Sequence, residues 1–349
     1  GIVGRSLTPE LLTRLGAAFG TYMKAGHIVI GRDTRTSGDM VKYSVFSGLL
    51  STGCNITDID ISTTPSCQIM IEELGADGGI VISASHNPIE WNALKLFKSN
   101  GMYLNKEESK EFFDIYHKGN FLKAEWNQLK DLETDVSTVR RHLKKVLKHI
   151  DIEKIRRRKF KVALDSCNGA GSTITPILLE KLGCQVVSIH CLPNGLFPHN
   201  PEPIFINLGD LSKLVKKTKA DIGFAQDADA DRVAIITEKG QILSEEYSLS
   251  MTTQYRLSQK KGTVVVNLST SRAIDDIADS YGVPVIRTAV GEINVAEKLK
   301  EVNGVIGGEG NGGVIDPRVH YGRDSLAGIV IMLEYLACEK EPISKLAGR

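Results

Sequence analysis

With 349 residues, 42% of them apolar and 24% charged, the chain has the composition of a soluble globular protein long enough for two or three hydrophobic cores. A net charge of +1 excludes a general electrostatic affinity for nucleic acid or for an anionic membrane. No apolar run approaches membrane-spanning length and no signal peptide opens the chain, so a cytoplasmic location is expected.

The chain opens Gly1-Ile2-Val3-Gly4 without an initiator methionine and reads as a fragment. A helix is predicted over 9–25, with Thr8 as N-cap and Pro9 at its first position. A strand over 27–30 runs into Gly31-Arg32-Asp33-Thr34-Arg35, a helix follows to about Ser51, and a strand over 56–61 comes next. A further helix leads to a short β-branched strand over 80–82. Basic residues crowd 140–161, but Val139, Leu143, Val146, Leu147 and Ile150 recur at helical spacing, which predicts a solvated helix face leading into a linker.

The same grammar then returns twice. A strand over 162–165 leads to Asn168-Gly169-Ala170-Gly171, a helix through Leu182, and a strand over 186–189. A third copy begins with the strand 264–267, continues with a helix from Arg272, and ends in a strand over 283–286. A spacing near a hundred residues implies related domains. The fold class expected is α/β: three related α/β domains with mixed, mainly parallel sheets around a shared cleft. Boundaries are placed at 1–150, 151–243 and 244–349. The six cysteines show no metal-ligand spacing and read as buried, reduced thiols.

Each copy ends a strand in a chemically loaded loop, at the strand end where open sheets bind ligands. The first is Ser83-Ala84-Ser85-His86-Asn87-Pro88, whose Ser85 is unhindered and beside a proton carrier. Lys95 follows, and a short turn would return it to this loop, near Arg32 and Arg35. The second is Asp227-Ala228-Asp229-Ala230-Asp231-Arg232. Three carboxylates this close need a positive charge among them, and oxygen-only ligands favour one Mg²⁺. An EF-hand is rejected, because Arg232 stands where that loop needs glycine and 233–236 is a strand pattern. The third is Gly307-Gly308-Glu309-Gly310-Asn311-Gly312-Gly313, whose glycines would let backbone approach a ligand and whose Glu309 and Asn311 suit sugar hydroxyls.

Together these stretches resemble the α-D-phosphohexomutases, the family of phosphoglucomutase, phosphomannomutase and phosphoglucosamine mutase. Ser83-Ala84-Ser85-His86-Asn87-Pro88 is similar to that family's phosphoserine loop, residues 227–232 to its metal loop, and 308–313 to its sugar loop. The resemblance implies four domains, with Ser85 phosphorylated and, together with Asp227, Asp229 and Asp231, holding Mg²⁺. It implies that His86, Lys95, Arg32 and Arg232 serve proton transfer and charge stabilisation, and that Glu309, Asn311 and Gly291 bind substrate. The activity implied interconverts hexose or hexosamine 1-phosphate and 6-phosphate through a hexose 1,6-bisphosphate, in a monomer or homodimer whose partner is a small sugar phosphate. The family's opening FGTSGIRG and its fourth-domain R-x-S-x-T-E-P loop are not found, and Asn311 and Gly313 replace the usual serine and histidine of the sugar loop. Two alternatives stand beside this reading: a haloacid-dehalogenase-type phosphatase with Asp227 as nucleophile, and a non-catalytic sugar-phosphate-binding protein.

Overall fold

The computed structural model describes residues 1–348. Its first helix, Pro9–Tyr22, starts where Thr8 caps it and stops short of residue 25 because Lys24 and Ala25 take left-handed φ values of 53° and 58°. Three sheets follow. The first holds β1 (His27–Arg32), β2 (Asn55–Ile61), β3 (Gly78–Ile82), β4 (Leu94–Lys98) and β5 (Leu132–Thr134), in the order β4-β3-β1-β2-β5. The second holds β6 (Lys161–Asp165), β7 (Gln185–Ile189), β8 (Ile222–Gln226) and β9 (Val233–Thr237), in the order β7-β6-β8-β9. The third holds β10 (Val264–Asn267), β11 (Val285–Thr288), β12 (Ile306–Glu309) and β13 (Gly313–Ile315), in the order β11-β10-β12-β13.

The threefold repeat extends to topology. In each sheet the first strand lies between the second and the third, parallel to both, and the fourth pairs antiparallel on the outside of the third. Each loaded loop is the connection from third to fourth strand, at the carboxyl end of a fully buried strand.

A packing device repeats as well. Gly79, Gly223 and Gly307 each occupy the second position of the overlap with the central strand, opposite Val29, Ala163 and Val265. A Cβ there would meet Ile71 at 2.4 Å, Val215 at 2.8 Å, and the Val265 carbonyl at 2.6 Å. The glycines let the covering helices or the neighbouring strand close onto the third strand.

The basic stretch forms the expected helix with a solvated face, but it is not a linker. Residues 138–158 form two helices, Thr138–Leu147 and Ile152–Arg158. Their Leu143, Val146 and Ile155 are buried in one core with Phe224, Leu326 and Ile329. Arg141 and Lys145 pair with Glu73 and Glu72 of the helix Thr64–Glu73. The segment is therefore a clamp between domains, with its charges on the outer face. The helix Ser325–Glu339, buried along most of its length, fills the same core. Cys191 and Cys338 are only half-buried, the other four cysteines are buried, and all six are unpaired. Among the described residues, no helix is long and apolar enough to cross a membrane.

Leu143→Ala tests the clamp. The loss of a fully buried leucine is expected to cost about 2–5 kcal/mol in urea unfolding, whereas a solvated linker helix would lose almost nothing.

Candidate active site

β3 ends in a loop whose backbone is held from beneath. Arg35, fully buried, donates to the carbonyl oxygens of Ser85 (2.8 Å), Asn87 (2.7 Å) and Pro88 (2.6 Å). Its Nε is 3.0 Å from Asp33, whose other oxygen takes the Arg35 N–H. Ser83 donates to Asp33 at 2.6 Å and accepts from the Ser85 N–H at 2.9 Å. This buried lattice holds Ser85 at a φ of 49°, a left-handed conformation that non-glycine residues adopt only when their surroundings impose it. The resulting direction places Ser85 Oγ as a donor to Asp227 Oδ2 at 2.8 Å.

Asp227, Asp229 and Asp231 are all fully buried, and one oxygen from each falls within 4.8 Å of the others. Residues from all three domains converge on them. From the first domain, Lys95 Nζ lies 2.5 Å from Asp229 and 3.2 Å from Asp231, while the Thr64 hydroxyl donates to Asp229. Lys95 is on β4, opposite Val81 of β3, so strand pairing brings it to the loop and the expected turn is not needed. From the second domain, the Arg232 side chain lies 3.6 Å from Asp231 and its N–H donates to Asp227. From the third, Arg323 reaches Asp231 at 2.7 Å, Glu292 at 2.9 Å and Glu309 at 2.8 Å.

Burial and repulsion from Asp231 and Asp229 push the Asp227 carboxyl well above the usual range. Burial acts the same way on Asp231, but Arg323, Lys95 and Arg232 outweigh it and hold that carboxyl below the usual range. Asp229 Oδ1 and Asp231 Oδ1 are buried without a hydrogen-bond partner. With Glu292 and Glu309, five buried carboxyl groups share three cationic side chains, Lys95, Arg232 and Arg323. Unpartnered buried oxygens, an oxygen-only donor set and an excess of carboxyl groups over cations fit a hard divalent cation.

Glu309 ends β12 and is tied at both oxygens. It accepts from Asn267 Nδ2 (2.7 Å), the Gly291 N–H (3.0 Å) and Arg323 (2.8 Å). Asn311 is half-buried, with Oδ1 3.4 Å from Arg323. A cavity of about 400 Å³ is lined by Glu309, Asn311, Gly291, Arg232, Arg323 and Tyr103, among others. Two of the loop's glycines are also required by packing within the protein. A Cβ at Gly312, whose φ is 90°, would lie 2.7 Å from the Val233 carbonyl, and one at Gly310 would lie 2.2 Å from Glu246. They let the loop pack onto its own protein.

The structure thus brings together Ser85, Lys95, Arg232 and the three aspartates, with Glu309, Asn311 and Gly291 around the adjoining cavity. His86 Nδ1 is buried without a partner, and burial, then Arg232, lowers its proton affinity. Arg32 is not brought in: its guanidinium pairs with Asp39 and Asp60, and Arg35 is the arginine that holds the serine loop. Thr64 and Arg323 were missed. Thr64 precedes Pro65 at a helix start and looks like a helix terminus, and Arg323 lies outside all three motifs.

Family models describing phosphoglucomutase/phosphomannomutase α/β/α domains I, II and III match residues 1–123, 140–240 and 244–349. A phosphoglucomutase/phosphomannomutase of Thermococcus kodakarensis is 40% identical over 353 residues, covering 99% of this chain and 77% of that protein. A phosphoglucosamine/phosphogalactosamine mutase of Sulfurisphaera tokodaii is 34% identical over 355 residues, covering 100% of this chain and 78% of its own. The crystal structure of a phosphoglucomutase/phosphomannomutase family protein from Burkholderia thailandensis superposes with a TM-score of 0.90 at 26% identity, covering 100% of this chain and 77% of that one.

Arg35→Lys keeps the charge but cannot bridge Asp33 and three carbonyls at once. It is expected to lower unfolding free energy by about 2–4 kcal/mol, and Arg35→Ala by about 3–5 kcal/mol because it strands a buried carboxylate. Arg32→Ala, which frees two exposed carboxylates and a 3.3 Å contact to the Asp33 carbonyl, should cost less, about 1–2 kcal/mol. Chemical denaturation of the three variants gives the ranking.

Proposed function

The chain belongs to the phosphoglucomutase/phosphomannomutase family, and from that premise we propose that it interconverts a hexose or hexosamine 1-phosphate and its 6-phosphate through a phosphorylated Ser85. Its relatives are mutases, a class of isomerase. The observation that carries the reading is the 2.8 Å contact of Ser85 Oγ with Asp227, at a strained position beside Lys95 and an oxygen-only triad.

Asp227, Asp229 and Asp231, with the seryl phosphate, would hold one Mg²⁺. When bound, the ion supplies charge stabilisation to the phosphoryl oxygens. The protein's own groups account for the rest. The cavity walls orient a sugar monophosphate so that its free hydroxyl faces Ser85. The phosphorus–oxygen bond to Ser85 Oγ breaks as one forms to that hydroxyl, giving a sugar bisphosphate. His86, with its lowered proton affinity, is a neutral base for the hydroxyl proton. Burial disfavours the Lys95 ammonium, yet Asp229 and Asp231 more than offset this and hold it protonated. Lys95 and Arg232 thus offer fixed positive charge where negative charge develops. Turning the bisphosphate over and returning its other phosphoryl group to Ser85 completes the exchange.

Glu309, Asn311 and Gly291 would read the sugar. The relatives' names span glucose, mannose and hexosamine phosphates, and a hexosamine 1-phosphate is included because Glu309 and Asn311 offer acceptors to an amino group. Asp227 as a phosphatase nucleophile is disfavoured, since both of its oxygens are engaged, by Ser85 and by the Arg232 N–H.

Ser85→Ala is expected to lower turnover with glucose, mannose and glucosamine 1-phosphates by on the order of a thousandfold or more, and to abolish phosphoserine in peptide mapping. Undiminished turnover would reject the reading. Mg²⁺ at a hundred times its Kd should stabilise the protein by about 2.7 kcal/mol, a gain that Asp229→Asn removes and calorimetry detects. Glu309→Gln and Asn311→Ala should lower kcat/KM in both directions by roughly 10–100-fold, the range of an unpaired buried polar group, with phosphoserine content unchanged.

A further inference from the structure

One strand over from Asp227, the second domain gathers a different set of ligands. Asp165 closes β6, in register with Ala225 of β8, and is 1% exposed. Its Oδ1 accepts the Cys167 N–H at 2.9 Å. Its Oδ2 faces His190 Nδ1 at 2.8 Å and His199 Nε2 at 3.2 Å. Each histidine keeps an edge toward solvent, with side chains 23% and 16% exposed.

The tautomer of His199 is the informative detail. Its Nδ1 lies 2.8 Å from the carbonyl oxygen of Asn200. A carbonyl only accepts, so Nδ1 carries a proton. In a neutral ring this leaves the Nε2 lone pair aimed at a carboxylate oxygen, acceptor against acceptor. A positive charge must stand there, either a second ring proton or a cation. A backbone carbonyl on the far nitrogen is also the arrangement that fixes and orients a metal-ligating histidine.

We propose that Asp165, His190 and His199 form a second metal site, taking a divalent transition ion of the zinc class through Asp165 Oδ2, His190 Nδ1 and His199 Nε2. These three atoms fall within 4.8 Å of one another. Two imidazoles and one carboxylate suit Zn²⁺, Ni²⁺ or Cu²⁺, whereas the Asp227 triad offers oxygen alone and suits Mg²⁺. Three protein ligands with exposed ring edges leave a fourth position open to water.

The ion would brace the interface that carries the serine loop. It ties the segment from His190 to His199 back to β6. That segment lies on the first domain, where the Phe197 ring sits 5.0 Å from the Arg35 guanidinium. Gly195, with a φ of 68°, passes so close to Thr34 that a Cβ would lie 1.9 Å from its carbonyl. Thr34 in turn donates to the Asn168 carbonyl at 2.8 Å. The site therefore stabilises the surface on which Arg35 rests without touching the reacting groups.

The test is a titration of the whole chain with Zn²⁺ by calorimetry, and with Co²⁺ by visible absorption, in saturating Mg²⁺. One Mg²⁺-resistant ion per chain is expected, with the intense ligand-field band of four-coordinate Co²⁺. Binding should persist in Asp229→Asn and disappear in His190→Gln and His199→Gln that retain native circular dichroism. On the unmutated chain, Zn²⁺ should also slow carbethoxylation of His190 and His199, mapped by mass spectrometry. The proposal is overturned by Zn²⁺ uptake that Mg²⁺ displaces or Asp229→Asn abolishes, by binding that survives both histidine substitutions, or by equal modification rates with and without Zn²⁺.

Discussion

Three carboxylates with no access to water, Asp227, Asp229 and Asp231, are the constraint on which the rest of this molecule depends. Removing a charge from water costs several kcal/mol even after relaxation, and only close, well-aligned partners offset it. No single domain supplies those partners. Lys95 and Thr64 come from the first domain, Arg232 from the second and Arg323 from the third. The electrostatics of one loop thereby fix how three domains meet. Backbone contacts reinforce the arrangement: the Thr64 N–H donates to the Asp229 carbonyl at 3.0 Å, the Val233 N–H to the Gly312 carbonyl at 3.1 Å, and the Ser325 hydroxyl to the Ala230 carbonyl at 2.6 Å.

Repetition explains why the cluster can be assembled at all. Each domain orders its strands in the same way and presents its chemistry between the third strand and the antiparallel fourth. Three equivalent loops can then converge on one cleft, each specialised by side chain. The first provides a serine, the second carboxylates, and the third a glutamate linked through Arg323 to the second. Arg323 matters in a second way, because it joins the wall of the adjoining cavity to the carboxylate loop through a single buried guanidinium.

The serine loop shows how local strain is afforded by tertiary support. Ser85 and Ala230 both take left-handed φ values, 49° and 55°, each a cost of roughly 1–2 kcal/mol for a residue with a Cβ. The Arg35–Asp33 pair and its three carbonyl contacts offset that cost for Ser85. The hydrogen bond from Ser325 to the Ala230 carbonyl anchors the second loop from the third domain.

The sequence alone carried the α/β class, the threefold repeat and the three loops, because each rests on local pattern. Short apolar, β-branched-rich runs that stop abruptly in polar residues are legible without a neighbour. Ser85, the aspartates, Glu309 and Asn311 were legible for the same reason, lying in loops whose composition departs from that of the strands they follow. Tertiary structure alone decided which basic residues matter. Arg32 and Arg35 are three residues apart in one loop and look equivalent as text. Only packing turns Arg32 toward exposed Asp39 and Asp60 and buries Arg35 beneath the serine. Lys95 was legible as a neighbour of the serine loop, but strand pairing of β4 with β3 and not a turn brings it there, and Arg323, ninety-two residues from Asp231, required the docking of one domain on another. Charge compensation in a buried cluster depends on distances of a few ångströms between segments far apart in the chain. A linear sequence records which charges exist, and the fold determines which of them meet.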